Sequence, residues 1–421
     1  MRTEYPARQL GELVENLDSR RIPLSSRVRA QRRGPYPYYG ATGVMDHIDG
    51  YLFDGLHLLV AEDGSVERED GAPFIQLVQG KFWVNNHAHV LRGVDDEDTK
   101  YIYYALSTVP VRPFVTGSVQ PKLSQANLNR IPIPYPPDRA TRRATVRVLS
   151  TLDEKIDLNR RMSETLEAMA RAIFKAWFVD FEPVRAKMEG RWRRGESLPG
   201  LPQHLYDLFP EGFADSELGA IPEGWRVEGL NEIAQFLNGL ALQQYRPGTG
   251  PALPVIKIAQ LRKGDTDGAD RCSADVPVEY IVDDGDVLFS WSGSLECIVW
   301  AGGKGALNQH LFKVTSNKYP KWFYYFWIHE HLPEFRSIAA DKATTMGHIQ
   351  RHHLASAQVV VASADVMAAA DRVIAPMLER VLTLRLESRT LARLRDALLP
   401  KLISGELRLR DAERFIGSAV G

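Results

Sequence analysis

Six arginines, Arg20, Arg21, Arg27, Arg29, Arg32 and Arg33, lie between Ser19 and Met45, a stretch with no acidic residue, and lead directly into Tyr36, Tyr38 and Tyr39. Guanidinium groups neutralise phosphates and can fork onto the edge of guanine, while tyrosines add hydroxyls and flat faces, so this set suits a nucleic-acid surface. Gln120 and Lys122 add an amide and a cation later in the same half. The competing reading is a solvated loop whose arginines pair with acids elsewhere. A second set comprises Gln243, Gln244, Tyr245, Arg246, Lys257, Arg262 and Lys263, followed by His348, Gln350, Arg351, His352 and His353. Its amides suit adenine edges and its cations suit phosphates, although Asp265, Asp267 and Asp270 dilute the charge. Two unlike sets would read two unlike base sequences, so the expected target is asymmetric and in two parts.

Catalytic constellations are harder to assemble. The string nearest to a base-gripping [N/D]PP[Y/F] loop is Tyr135-Pro136-Pro137-Asp138, whose ends are wrong for methyl transfer. Gly302, Gly303 and Gly305 surround Lys304 without the GK[ST] of a phosphate loop and read as a tight turn. Asp153-Glu154-Lys155 resembles part of a nuclease centre, but its place between Leu152 and Ile156 makes it the charged flank of a helix. His87-Ala88-His89 could chelate from one face of a strand, yet no acidic or cysteine partner stands near it in sequence, so core or turn histidines are expected. Cys272 and Cys297 have no CxxC partner, which excludes a cysteine zinc site and fits a reducing compartment. The formal net charge of -1 decides nothing about nucleic acid, because binding follows local charge. No run of about 18 apolar residues and no apolar leader is present, so a soluble cytoplasmic protein is expected.

The elements that must carry these residues repeat once along the 421-residue chain. An offset of about 220 lays VEGLNEIAQFL over RQLGELVENL, with Leu230 on Leu10 and Ile233 on Leu13. Asn308 to Phe312 then falls on Asn86 to Val90, and aromatic runs follow both, YPKWFYYFWI and YIYYAL. TTMGHIQRHHLASAQVVV falls on SVQPKLSQANLNRIPIP, with His348 on Lys122 and Ile349 on Leu123. Each half ends in a strand-like run, Ile131 to Tyr135 or Val359 to Val361, and then a helix capped near Asp138 or Ser363.

In the first helix Leu149, Leu152, Ile156, Asn159, Ser163, Leu166, Ala170, Ile173 and Trp177 alternate spacings of three and four. In the second, Ile374, Met377, Val381, Leu384, Ser388, Leu391, Leu394, Leu398 and Leu402 nearly repeat the pattern, with Pro376 and Pro400 expected to bend or fray the ends. Helices of about 60 Å need a partner, and antiparallel pairing within the chain is the simplest closure; pairing in a second copy is the alternative. The expected fold class is therefore α+β: two globular domains separated by two long antiparallel helices that form an intramolecular coiled coil, a pseudo-twofold internal repeat. The expected boundaries are a first domain over 1–137, a first helix over 138–180, a surface-wrapping connector over 181–222, a second domain over 223–362, a second helix over 363–404 and a tail over 405–421.

The helix LDEKIDLNRRMSETLEAMARAIFKAWFVDFEPV, the string LGAIPEGW, the loop TTMGHIQRHHL and the ending LRDALLPKLISGEL together resemble the specificity subunit of type I restriction-modification enzymes. The resemblance covers essentially the whole chain; only the opening TEYPARQLGEL lacks an IPEGW-like entry, which leaves the start of the first domain open. It implies that each globule is a target recognition domain for half of a split DNA site, that the helices set the unread gap, and that the chain is non-catalytic. It also implies two modification subunits on the helical region and restriction/translocase subunits beyond them, one copy of this chain in the complex, no membrane, and no cofactor on this chain. S-adenosylmethionine, ATP and Mg2+ would belong to the partners. Met162, Met169, Phe174 and Phe178 widen the apolar surface of the first helix, either for such docking or for packing on its own domains. The other readings are a coiled-coil scaffold whose globules bind proteins and a self-contained restriction or modification enzyme.

Overall fold

The computed structural model describes residues 5–117, 119–341 and 347–407. Two compact units form: one from the described residues up to Ile156 together with those from Thr390 onward, the other from Asp157–Arg389. Thr344 to Met346 of the TTMGHIQRHHL loop and residues 408–421 of the expected tail lie outside the described residues.

Among the described residues the first unit contains nine strands: β1 (Ala7–Gln9), β2 (Glu15–Asn16), β3 (Arg33–Tyr39), β4 (Val44–Ile48), β5 (His57–Ala61), β6 (Ile75–Val78), β7 (Trp83–Val84), β8 (Ala88–Arg92) and β9 (Pro132–Pro134). Helices α1 (Ser26–Gln31), α2 (Asp96–Leu106) and α3 (Gln125–Asn129) join them, and α4 (Arg139–Phe174) starts here. One sheet runs β2-β8-β5-β6 and is antiparallel; a second runs β4-β3-β7, with β7 parallel to β3. Every residue of β5 is buried, as expected of a central strand covered on both faces. Pro35 is tolerated in β3 because it falls where the register with β4 shifts between Arg33 and Tyr36, so fewer ladder donors are needed there. The ladder Ala7↔Pro134 to Gln9↔Pro132 brings the domain's entry and exit together just before α4.

In the second unit come α5 (Glu182–Met188), the hairpin β10 (Phe213–Ser216) and β11 (Gly219–Pro222), then β12 (Arg226–Gly229), α6 (Leu230–Ile233), β13 (Gln235–Asn238), β14 (Ala252–Ile256) and α7 (Ile258–Lys263). They are followed by β15 (Arg271–Ser273), β16 (Ile281–Val282), β17 (Val287–Ser290), β18 (Cys297–Val299), β19 (Gly305–Leu307), β20 (Leu311–Thr315), α8 (Lys321–Asp341), α9 (Arg351–Ser356), β21 (Gln358–Val361) and α10 (Ala364–Ser404), whose last turns belong to the first unit. The sheets β13-β20-β17-β18 and β15-β14-β19-β16 repeat the two sheets of the first unit, including a parallel pair, β14 with β19. The neck recurs as well, in the antiparallel pairing of β12 with β21. Details follow the same plan: Leu10 N–H donates to Ile131 O at 2.9 Å and Leu230 N–H to Ala357 O at 2.8 Å, while Lys122 and His348 occupy matching bridges with Asp63 and Ser292.

Within the first unit, Leu149 and Leu152 of α4 share a core with Leu391, Leu398 and Leu402 of α10, and Ile156 and Leu394 pack against it. Within the second, Ala170, Phe174 and Trp177 share a core with Ile374 and Leu378; Ile173 and Met377 pack against it, Val381 and Leu384 are buried, and Leu166 is half-buried. Asn159 Nδ2 donates to Glu387 Oε2 at 3.0 Å, and Arg385 pairs with Glu167 at 2.6 Å, so the helices run antiparallel. A buried amide in a largely apolar seam favours one register over its neighbours.

Three expectations need correction. The 181–222 segment does not merely wrap the surface: Val184, Trp192, Leu201, Leu205 and Phe209 are buried in the main core of the second unit. Their irregular spacing hid them, because no helix or strand period organises them. Helix α10 runs unbroken through Pro376 and Pro400, so neither proline frays it. Phe174 and Phe178 are fully buried, which removes them from any docking surface.

Leu152→Ala should lower stability by about 2–5 kcal/mol through lost burial and a cavity, whereas Leu158→Ala, at an exposed site on α4, should change it by less than about 0.5 kcal/mol. Urea unfolding of the two variants checks this, and equal losses would contradict the seam.

Candidate nucleic-acid interface

Ser25 caps α1, its hydroxyl accepting from Val28 N at 3.4 Å, and this short helix leads into β3, so the arginine stretch is ordered rather than a free loop. Its arginines divide by role. Arg21 has only 14% side-chain exposure and donates at 2.8 Å to both Glu62 Oε2 and Ala88 O, with Asp18 at 3.4 Å. Arg29 donates to Leu24 O at 2.7 Å and to Asp46 at 3.2 Å and lies 4.9 Å over the buried Tyr38 ring, whose hydroxyl accepts from Leu24 N. Arg21, Arg29 and Tyr38 therefore hold the domain together and leave the proposed DNA surface. Tyr39, half-buried against Phe82, contributes little more; burial raises its pKa.

Arg20, Arg32 and a further cation, Lys81, meet aromatic rings. Loop residues 51–53 and 81–83 lie side by side, with Phe53 stacked on Phe82 at 5.3 Å. Arg20 sits 5.1 Å over Phe53 and donates to Leu52 O, Arg32 sits 5.1 Å over Trp83 while pairing with Asp49 at 2.8 Å, and Lys81 Nζ lies 4.7 Å from the Tyr51 ring. Tyr36 packs on Tyr51 at 5.1 Å. Arg27 and Arg33 are exposed, and among the described residues neither side chain has a hydrogen bond or ion pair. Cations laid on rings and open to solvent can neutralise phosphates, while the rings offer faces for sugars and bases. Tyr51 and Lys81 escaped the sequence reading because each is isolated; Lys81 follows Gly80 between two apolar runs. Gln120 is exposed, and Lys122 is tied at 3.3 Å to Glu62.

His87 and His89 do not form a shared ligand pair. His87 points to Asp63 at 2.8 Å, whereas buried His89 lies between Asp18 Oδ2 at 2.5 Å and Leu123 O at 2.8 Å, so each has the acidic neighbour that the sequence did not reveal. Asp18, Glu62 and His89 converge closely enough for a metal ion, but the Arg21 guanidinium already supplies the cation there. Burial opposes ionisation of Asp18, yet the His89 hydrogen bond and charge, the Val90 N–H and Arg21 outweigh it and hold the carboxyl below its ordinary value.

The second unit presents different chemistry. Gln243, Gln244 and Arg246 are exposed, while Tyr245 packs beside Val255. Lys257 pairs with Asp270 at 2.5 Å, Lys263 with Asp265 at 3.3 Å and Arg262 with Glu296 at 3.7 Å, so these cations are largely neutralised. Trp291 gathers His310 and His348 around its ring and donates to Asn238 Oδ1 at 2.8 Å. Gln350, Arg351 and His352 are exposed at the start of α9. Amides and imidazoles thus predominate here, against arginines and tyrosines in the first unit. Trp291 and Asn238 were not singled out by sequence, since neither belongs to a charged run.

The two units repeat one α+β topology, and each offers a distinct polar surface. Residues 3–168 match the type I restriction modification DNA specificity domain. A putative type I restriction enzyme specificity subunit of Haemophilus influenzae is 38% identical over 135 residues, 32% of this chain and 34% of that protein, so the alignment spans about a third of that relative. The MjaIX specificity subunit of Methanocaldococcus jannaschii is 24% identical across 84% of this chain and 80% of its own length. The type I restriction-modification S subunit from M. genitalium shares the fold, with a TM-score of 0.55 over 95% of this chain and 96% of that one at 14% identity. Over residues 3–168 the chain thus matches the type I DNA specificity domain, and over most of its length it is similar to type I restriction enzyme specificity subunits.

Arg21→Ala should destabilise the first unit by about 3–5 kcal/mol, because it strips buried carboxylates of their counter-charge. Since the folded pKa of Asp18 is depressed, its contribution is present above about pH 4 and is lost as pH falls through the folded value, so Asp18→Asn should flatten that part of the acid-unfolding curve. Unfolding followed from about pH 7 to about pH 2 checks both.

Proposed function

We propose that this chain supplies the DNA address of a type I restriction-modification complex, the first unit reading one half of an asymmetric bipartite duplex site and the second reading the other. The observation that carries this reading is the repeat of one topology with two unlike surfaces, the arginine and tyrosine patch around Tyr51 and Trp83 and the amide and imidazole patch around Trp291. A common scaffold sets a common approach to the duplex, and differing side chains select differing bases. Helices α4 and α10 set the count of unread base pairs, because half-sites must fall in phase with a helical repeat of about 34 Å.

Methyl transfer and cleavage belong to partners in this reading, and the chain itself is non-catalytic and binds no cofactor. Two modification subunits, which use S-adenosylmethionine, dock along the helical region, where Leu158, Met162 and Met169 are exposed on one stretch of α4. Restriction subunits that use ATP and Mg2+ complete the assembly, with one copy of this chain, in the cytoplasm. Among the described residues no helix is long and apolar enough to cross a membrane.

Binding of the assembled complex to duplex DNA should weaken steeply with salt, and Arg32→Ala with Arg33→Ala should reduce the slope of log affinity against log salt by about 0.9 for each phosphate that is no longer neutralised. An unchanged slope would count against the patch, and no slope at all would favour a protein-binding scaffold. Inserting one heptad near Asn159 in α4 and a matching one in α10 should lengthen the unread spacer and leave both half-sites intact, as read by mapping methylated adenines. An unaltered spacer would exclude the ruler.

A further inference from the structure

Each unit contains a three-part contact that the readings above leave unused. In the first, Tyr104 Oη, on α2, donates to Asp153 Oδ2 of α4 at 2.6 Å, and Arg395 Nη1 of α10 donates to Asp153 Oδ1 at 2.7 Å. In the second, Tyr325 Oη, on α8, donates to Glu167 Oε1 of α4 at 2.5 Å, and Arg385 Nη2 of α10 donates to Glu167 Oε2 at 2.6 Å. Tyr104 and Tyr325 are equivalent positions of the repeat, each the second tyrosine of a Tyr-Tyr pair in the aromatic run after the central strand. The same constellation thus arises twice: a tyrosine from the recognition domain, a carboxylate from α4 and an arginine from α10.

The place of these contacts along the helices gives them a job. The first domain is already tied to the start of α4 at its neck, by the β1 and β9 ladder and by Arg142 pairing with Asp98 at 3.2 Å. Asp153 lies 11 residues beyond Arg142, about 16 Å along the helix axis. A body held at one point can rock about it; a second directional bond at a distance stops the rocking. In the second unit the neck contact is Trp322 Nε1 donating to Asp371 Oδ1 at 2.8 Å; Arg385 lies 14 residues further along α10, about 21 Å, and a turn beyond it Arg389 forks onto Asp284 at 2.7 and 2.8 Å as a further tie. Apolar packing is non-directional and tolerates small rotations, whereas a short hydrogen bond to a charged, doubly engaged carboxylate is directional. Both tyrosines are buried, while the carboxylates that accept from them keep about a quarter to a third of their side-chain exposure.

We propose that Tyr104 and Tyr325 are positioning residues that fix the angle of each recognition domain on the helix pair, and that Asp153 with Arg395 and Glu167 with Arg385 are the sockets that receive them. The inference rests on the bipartite-site reading and adds to it the groups that make the spacing exact to a base pair. Without the hydroxyls each domain loses a directional restraint on its angle to the helix pair, and the complex accepts spacers that it otherwise rejects.

The test uses the complex assembled with its modification subunits and duplexes carrying the mapped site with its native spacer or one base pair more or fewer. Tyr104→Phe, Tyr325→Phe and the double variant each remove only oxygen, and Asp153→Asn keeps the socket's shape while removing its charge. The expected result is that the ratio of methylation rates, native spacer over altered spacer, falls about tenfold or more in the double variant, while binding to a duplex with a single half-site stays within about twofold of wild type. A ratio that stays at the wild-type value, with or without a lower melting temperature, overturns the positioning role. So does a fall in single half-site binding that matches the fall in methylation. A wild-type complex indifferent to spacer length overturns the bipartite reading itself and this inference with it, so the two failures are distinguishable.

Discussion

Pairing between α4 and α10 is the constraint on which the rest of the structure depends. A helix of 36 or 41 residues with a polar outer face has little stability alone and gains it by burying one stripe against another. Here the stripe of each helix meets the other inside both units, through leucines in the first and through Ala170, Phe174, Ile374 and Leu378 in the second. Because each domain's entry and exit strands are zipped together at a neck, the domain is grafted onto this pair rather than threaded through it. The surface loops are thereby free to vary without disturbing the helices, since the neck and the seam fix the architecture.

The two recognition surfaces illustrate that freedom. On nearly the same sheets, one domain lays Arg20, Arg32 and Lys81 on rings, and the other ties most of its cations to neighbouring acids and exposes amides and histidines. In the proposed reading, phosphate attraction in the first and hydrogen-bond selection in the second are different balances of the same two forces.

Much of this was legible in the sequence, for identifiable reasons. The seam positions stood out because a three-four spacing survives every local substitution that keeps a residue apolar, and the repeat stood out because element order outlasts identity. The division of labour among the arginines did not. An acid-free stretch suggested unpaired charge, yet the β3 and β4 hairpin carries Asp46 and Asp49 across to Arg29 and Arg32, and Asp18 and Glu62 close on Arg21. Pairing is a property of the folded neighbourhood, and distance along the chain does not report it. Tyr51 and Trp291 were invisible for the same reason, since single aromatics acquire meaning only from what the sheets place beside them.

The two long helices align with an offset of 225, Leu149 on Ile374 and Ser163 on Ser388, but the acids of the sockets have no counterpart across it. At that offset Asp153 corresponds to Leu378 and Glu167 to Ala392; Arg395 corresponds to Ala170, and only Arg385 meets its like, in Arg160. Both carboxylates therefore reside in one copy of the ancestral unit, and the guanidinium that answers Asp153 exists only in the other. A protein assembled from twin copies of the first half would match apolar stripes yet set Asp153 against a methyl group. Twin copies of the second half would set Arg395 against leucine and Arg385 against alanine. The two halves are therefore complementary at the sockets as well as similar along the seam.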